Sequence, residues 1–172
     1  MIRTRVLVLG AMNIVLTIVF FTVFRGMLNF LNAFLIPMSM FVFLRDMGYK
    51  EMTTVFIATF FMVFVTHQLQ IVFFISYGLT ALLLIDLNRK VSNAFLSMLI
   101  ISFFLSLNFF IATVITDFTF MTRIRVVTIA MMGGRTVTYI IYLLIFGLLT
   151  SIAIMAAIST IDKIRKNWRG LK

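Results

Sequence analysis

The stretch PMSMFVFLRDMGYKEMTTVFIATFFMVFVTHQLQIVFFISYGLTALLLIDLNRK, residues 37–90, holds the end of one apolar run and then two complete runs. The first run closes at Arg45-Asp46-Met47-Gly48-Tyr49-Lys50-Glu51, the second at Thr66-His67-Gln68, and the third at Asp86, Arg89 and Lys90. Charge collects at the first and third breaks, whereas the middle break has no Lys or Arg. Cytoplasmic loops are enriched in Lys and Arg because these residues resist translocation. The alternation predicts that the first and third breaks are cytoplasmic and the middle one is outside. Every other segment takes its orientation from that.

The 172-residue chain is 63% hydrophobic and 12% charged, with a mean hydropathy of +1.17. Exposing apolar surface to water costs roughly 25 cal/mol per Å². A lipid-facing bundle avoids that cost, so composition selects an integral membrane protein. Several runs approach or exceed the ~20 residues that cross a bilayer's hydrocarbon core. Apolar residues run together instead of alternating, which excludes a transmembrane barrel. With no Cys there is no disulfide, thiol nucleophile or thiolate metal site. One His and five acidic residues leave little material for a metal site or an acid–base pair, and no cofactor is expected. The net charge of +10 invites a nucleic-acid partner. However, the basic residues sit at the ends of apolar runs, where they snorkel to headgroups and fix topology, so none is expected.

The expected fold is all-α: a single polytopic membrane domain of six transmembrane helices, at about 6–24, 28–44, 50–66, 69–87, 94–115 and 136–161, on the usual length rule. With both ends inside, the cytoplasmic side holds Arg3, Arg5, Arg45, Lys50, Arg89, Lys90, Lys163, Arg165, Lys166, Arg169 and Lys172. Outside are Arg25, Arg123, Arg125 and Arg135. That bias predicts N-in and C-in. The charged start at Arg3 and Arg5 is like that of a signal peptide. The apolar run passes Phe20 with no small-residue cleavage pattern before Arg25, which predicts a retained anchor. Trp168, among the terminal charges, is placed to anchor the last helix at the interface. The third span reaches full length only if the Thr53 and Thr54 hydroxyls bond back to the helix. The short break at His67 predicts a tight antiparallel hairpin.

No enzyme motif is present: no phosphate-cradling Gly loop, no HExxH, no nucleophile with a base at a known spacing. Asp117 with His67 is the only outer-side acid–base candidate. Small residues form a stripe in the last span, with Gly147 and Ser151 four apart and Ala153 and Ala157 four apart; Gly10-Ala11 adds a notch in the first. Such residues let helices approach closely in lipid, either within the bundle or against another membrane subunit. Amides within spans need partners, water or a ligand, because lipid cannot satisfy them. In the predicted topology Arg25, Asn29, Asn32, His67, Gln70, Asn108, Arg123, Arg125, Arg135 and Tyr139 lie on the outer side or near it. A basic, amide-rich vestibule of this kind favours a small anionic ligand. The longest non-spanning piece, 117–135, alternates around 118–126 and reads as a short extended lid or an amphipathic surface segment. If extended, it sets Arg123 and Arg125 on one side, over the mouth of the bundle, with Gly133-Gly134 as the hinge.

Leu35-Ile36-Pro37-Met38, then Leu44-Arg45-Asp46-Met47-Gly48, then Tyr77-Gly78-Leu79 ahead of Asn88-Arg89-Lys90, together resemble the membrane core of YybS-type proteins. Those in turn resemble the substrate-binding S components of energy-coupling-factor transporters. The resemblance implies a non-catalytic six-helix subunit that binds a small molecule from outside. Its implied partners are a transmembrane coupling protein and separate ATPases. S components often dock through an Ala-x-x-x-Ala stripe on the first helix. The corresponding place here reads Gly10-Ala11-Met12-Asn13-Ile14-Val15, without the second Ala. The chain is also similar in length and span count to the MreD family of rod-shape proteins, which implies a scaffold or regulator in a cell-envelope assembly. The acidic residue often seen in that family's third span is absent.

Overall fold

The computed structural model describes residues 4–24, 26–91 and 93–170, without the side chains of residues 26–28, 166 and 168–170. Arg25 and the anchoring role expected of the Trp168 ring therefore lie outside the described residues. Among those described there are helices and no strand: α1 (Thr4–Val23), α2 (Asn32–Leu44), α3 (Tyr49–Thr66), α4 (Ile71–Lys90), α5 (Ala94–Phe120), α6 (Ile124–Met131) and α7 (Thr136–Gly170). Turns of 3-10 helix at Gly26–Leu31 and Gln68–Gln70 lead into α2 and α4.

Five helical stretches are long and apolar enough to cross a membrane: Thr4–Val23, Tyr49–Thr66, Gln68–Lys90, Ala94–Phe120 and Thr136–Arg165. They fit a multi-pass membrane protein. The remaining expected span is a shorter apolar helix, Asn29–Leu44. Other boundaries also move. The fifth helix continues past 115 to Phe120, and the last continues past 161 to Gly170. The third begins at Tyr49, one residue ahead of the expected start, and the Thr53 and Thr54 hydroxyls do donate to the Tyr49 and Lys50 carbonyls, each at 2.9 Å.

The short helix sits at the centre. Nine of the thirteen α2 residues are buried, Pro37 among them, and eleven of twenty in α4. By contrast α1 buries only Gly10, Asn13, Thr17 and Phe21, and α3 only Met52, Val55, Thr59 and Val63. These recur every three or four residues, so each peripheral helix turns one narrow stripe inward. Two of the stripes meet: Gly10 lies against Val55, where an added Cβ would come within 2.9 Å of a Val methyl, and Asn13 Nδ2 donates to Thr59 Oγ1 at 3.4 Å. The outward residues of α1, including Leu7, Val8, Val15 and Val23, are exposed and apolar. Small and polar groups inside with bulky apolar groups outside is the arrangement lipid favours, because packing and interhelical hydrogen bonds hold helices together there.

In packing order, α3 lies on α1, α1 on α2, α2 on α4, α4 on α5 and α5 on α7; contacts of α3 with α4 and α2 with α7 close the bundle. The tightest approach is α5 to α7. A Cβ on Gly147 would collide with Ser106 Oγ and the Ser102 carbonyl oxygen, and Ser106 Oγ donates to Leu143 O at 2.9 Å. Gly147 and the fully buried Ser151 are thus packed within the chain, the first of the two roles expected of the stripe. Ala153 is exposed and Ala157 half-buried.

Of the two forms expected for segment 117–135, the extended lid is not found: α5 takes its first part, and the amphipathic helix α6 forms in its middle. Asp117 explains the helix. Its carboxylate accepts from the α6 backbone at Ile124 N (2.7 Å) and Arg125 N (2.9 Å) and from Thr122 Oγ1 (2.6 Å), satisfying donors that a helix start leaves orphaned. The other end closes at Gly133 and Gly134, at φ +85° and +76°, where Gly134 N bonds Ile129 O at 2.8 Å. The extended backbone from which a shared face of Arg123 and Arg125 was expected is absent: Arg123 precedes α6, and Arg125 lies in its first turn. The principal contacts of α6 are with α5 and α7, the helices it joins.

Candidate ligand-binding end of the bundle

The two ends of the bundle have opposite chemistry. At the Arg45 end, the turn between α2 and α3 is clamped from three directions. Arg45 pairs with Asp162 of α7 at 2.8 Å and lies 5.0 Å from the Phe41 ring centre. Asp46 pairs with Arg165 of α7 and, at 3.8 Å, with Arg5 of α1. Arg89 of α4 donates to the Arg45 and Met47 carbonyls, both at 2.7 Å, and stacks on Tyr49. Tyr49 and Lys90 in turn hold Asp86, at 2.8 and 2.9 Å. Glu51 Oε2 accepts from Gly48 N at 3.1 Å, closing the start of α3. The Arg165 hydrogen bond holds the Asp46 carboxyl below the usual carboxylate range. Partial burial works the other way, and the charges of Arg165, Arg45 and Arg5 add to the lowering.

The His67 end instead carries hydrogen-bonding groups with little charge pairing. The predicted residues fall into two groups there. In the first, Asn32 is fully buried at the head of α2; its Nδ2 donates to the Phe24 carbonyl (3.1 Å) and to Asn29 Oδ1 (2.9 Å). The 3-10 turn places Asn29 three residues ahead, which is why the two amides meet. His67 sits between Thr22 and Thr66, with ring nitrogens 3.2 and 2.8 Å from their hydroxyls and its ring beside Phe21. Both hydroxyls also donate to a carbonyl one turn back. Gln70 precedes α4 directly. In the second group, Tyr139 of α7 is buried and bonds Thr113 of α5 at 3.0 Å; Thr113 already donates to Phe110 O, so the tyrosine donates to Thr113. Arg125 and Asp117 lie within electrostatic reach of Tyr139. Arg123 and Arg135 are exposed at either side of α6, and Asn108 is half-buried on α5.

From Phe21, beside the first group, a run of aromatic rings passes through the interior: Phe21 to Tyr77 (6.5 Å between centroids), Tyr77 to Phe73 (6.3 Å), Phe73 to Phe109 (5.6 Å) and Phe109 to Phe146 (5.1 Å). Tyr77 Oη, Asn32 Oδ1, Gln70 Oε1, Asn108 Nδ2 and Thr116 Oγ1 are buried with no hydrogen-bond partner among the described residues. A buried polar group without a partner costs about 1–3 kcal/mol, so these atoms mark where water or a ligand belongs. Tyr77, Thr113 and Thr116 were not among the expected site residues. The spacing of Thr113 and Thr116, three apart on one face of α5, is the signal that points to them.

Arg25 lies outside the described side chains. Gly10 is buried against α3, while Ala11 is exposed and lines a groove of about 370 Å³ between α1 and α3 with Leu7, Ile14, Thr54 and Ala58. Asp117 and His67 have separate structural partners, the α6 backbone and two threonines. Among the described residues no three His, Asp or Glu gather into a metal-sized cluster. Comparison of the chain with protein-family models, curated proteins and solved structures gives no match.

Proposed function

We propose that the chain is a non-catalytic, substrate-binding subunit of a transport complex in the cell membrane, similar to S components, with six spans and both ends in the cytoplasm. The observation that carries the reading is the set of buried, unpartnered polar atoms at the His67 end, centred on Tyr77 Oη and Asn32 Oδ1. They offer both donors and acceptors to a small polar ligand, and the exposed Arg123, Arg125 and Arg135 favour an anionic one. All five acidic side chains have structural work: four at the Arg45 end and Asp117 as a helix cap. Each is thus engaged in holding the fold. As for the sixth span, the 3-10 turn Gly26–Leu31 rises more per residue than an α-helix. Added to α2 it gives a stretch of about 30 Å, the thickness of a hydrocarbon core.

A second reading, a scaffold or regulator of an envelope assembly similar to MreD, is favoured by the α1–α3 groove, which offers Ala11 to another membrane subunit and needs no ligand. Isolation from native membranes with its partners separates the two. Co-isolated ATPase subunits support transport, and wall-synthesis proteins support the scaffold. A chain that isolates with neither contradicts both.

A further inference from the structure

The polarity of α6 is reversed relative to a helix on the surface of a soluble protein, which turns its apolar face to the core. At about 100° per residue, Val126, Ala130, Val127 and Met131 fill one arc of about 140°, and all four are exposed. Val126, Val127 and Met131 show 57%, 48% and 70% of their surface. No polar side chain interrupts that arc. The opposite arc carries the half-buried Ile124, Thr128 and Ile129, with Arg125 between Thr128 and Ile129. Arg125 reaches Asp117 and Tyr139 electrostatically, so the polar side of α6 is turned toward α5 and α7.

We infer that the outward face of α6 is seated among the acyl chains of the bilayer, so that α6 is an interfacial helix immersed beside the bundle. Continuity identifies lipid as the occupant. Phe118, Met121 and Val137 flank α6 on either side and are 86%, 89% and 66% exposed. The row then passes along α7 to Ile140, Ile141 and Leu144, on a helix apolar and long enough to span. The left-handed residues at both ends, Met121 at φ +53° and Gly133-Gly134, let α6 leave the direction of α5 and α7 and lie across them. Arg125 then stands between the lipid surface and the Tyr139 group, with its charge toward the protein. The inference is independent of the transport reading.

The chain lacks Cys, so single cysteines from Arg123→Cys through Met131→Cys can be spin-labelled in phosphatidylcholine–phosphatidylglycerol vesicles. Collision rates with oxygen, which enters lipid, and with a nickel chelate, which does not, are then compared along the helix. Labels at 126, 127, 130 and 131 are expected to favour oxygen over the chelate, whereas one at 128, turned toward α5 and α7, should meet both reagents less often, so that oxygen access rises and falls with the helical period. If the four outward labels meet the chelate as freely as a label at Gln68, α6 is a water-exposed lid and the inference fails. Shielding from both reagents means a protein covers the face, which also overturns it. As a check free of spin labels, Val127→Trp in a Trp168→Phe background should be quenched by lipids brominated on the acyl chains. Quenching equal to that of Thr128→Trp contradicts the assignment. No transport assay enters, so failure here leaves the proposed substrate role standing.

Discussion

The Arg45 end is closed by paired charge, and the His67 end is open in the sense that its polar atoms outnumber their partners. Arg45, Asp46, Arg89, Asp162 and Arg165 pair with one another or with nearby carbonyls and so tie the α2–α3 turn to α4 and α7. Asn32, Gln70, Tyr77, Asn108 and Thr116 each leave an atom unsatisfied at or toward the other end. One bundle thus fixes its helices at one end and keeps hydrogen-bonding capacity at the other. Substitutions should therefore fail differently: those of paired groups by loss of stability, those of the unpartnered groups at the His67 end with little of it.

The largest effect should come from the packing on which both ends depend. Gly147→Leu drives a side chain into Ser106 and the α5 backbone, where nothing flexible can yield. A loss of about 3 kcal/mol or more is expected, seen as a collapse of the thermal transition in detergent; an unchanged transition would show that α7 does not pack on α5 this closely. Next is the clamp. Arg45→Ala removes a mostly buried cation from Asp162 and should cost about 1–2 kcal/mol, partly recovered by the second change Asp162→Ala, as a double-mutant cycle would read.

A pair of tyrosines sharpens the contrast. Tyr139→Phe breaks the bond to Thr113 and should destabilise by about 1 kcal/mol. Tyr77→Phe removes a buried hydroxyl that has no partner, so stability should be unchanged or slightly raised. Equal losses in chemical denaturation would mean that the Tyr77 hydroxyl is satisfied inside the bundle and that this end is as closed as the other.

The smallest effect concerns pH. The folded-state pKa of Asp46 is lowered, so its contribution is complete above the ordinary value of 3.8 and is lost as pH falls through the lower folded value. Asp46 is 43% exposed, so screening limits the effect to about 0.2–1 kcal/mol. Asp46→Asn should flatten the acid limb of a stability–pH curve by that amount and leave the curve above pH 5 parallel. An unaltered acid limb would remove Asp46 from the clamp.

Much of the fold is legible in hydropathy, because a spanning helix needs a run of apolar residues whatever its neighbours are. The centrality of α2 is not legible. A buried helix and a lipid-facing one are both apolar, and only tertiary packing tells Phe41 from Val15. The alternation near Phe118 reads as extended, but the helix of α6 is set by Asp117 from seven residues upstream and by glycines downstream, so a local period misses it. At the candidate site, the amides and His67 stand out because lipid tolerates them poorly. Tyr77 and the threonines do not, since each can bond to its own helix or sit in a core. Gly147 signalled a close approach, while its partner, Ser106 of the same chain, was visible only in three dimensions.

In the proposed topology the two ends lie on opposite sides of the membrane, with the polar His67 end outside. Gln68 and Lys163 are exposed at opposite ends, and the native chain has no Cys. Single Gln68→Cys and Lys163→Cys variants should be treated in intact cells with a membrane-impermeant maleimide, then again after permeabilisation. The prediction is labelling of position 68 in intact cells and of position 163 only after permeabilisation. Labelling of 163 in intact cells, or of both positions from the same side, contradicts the account.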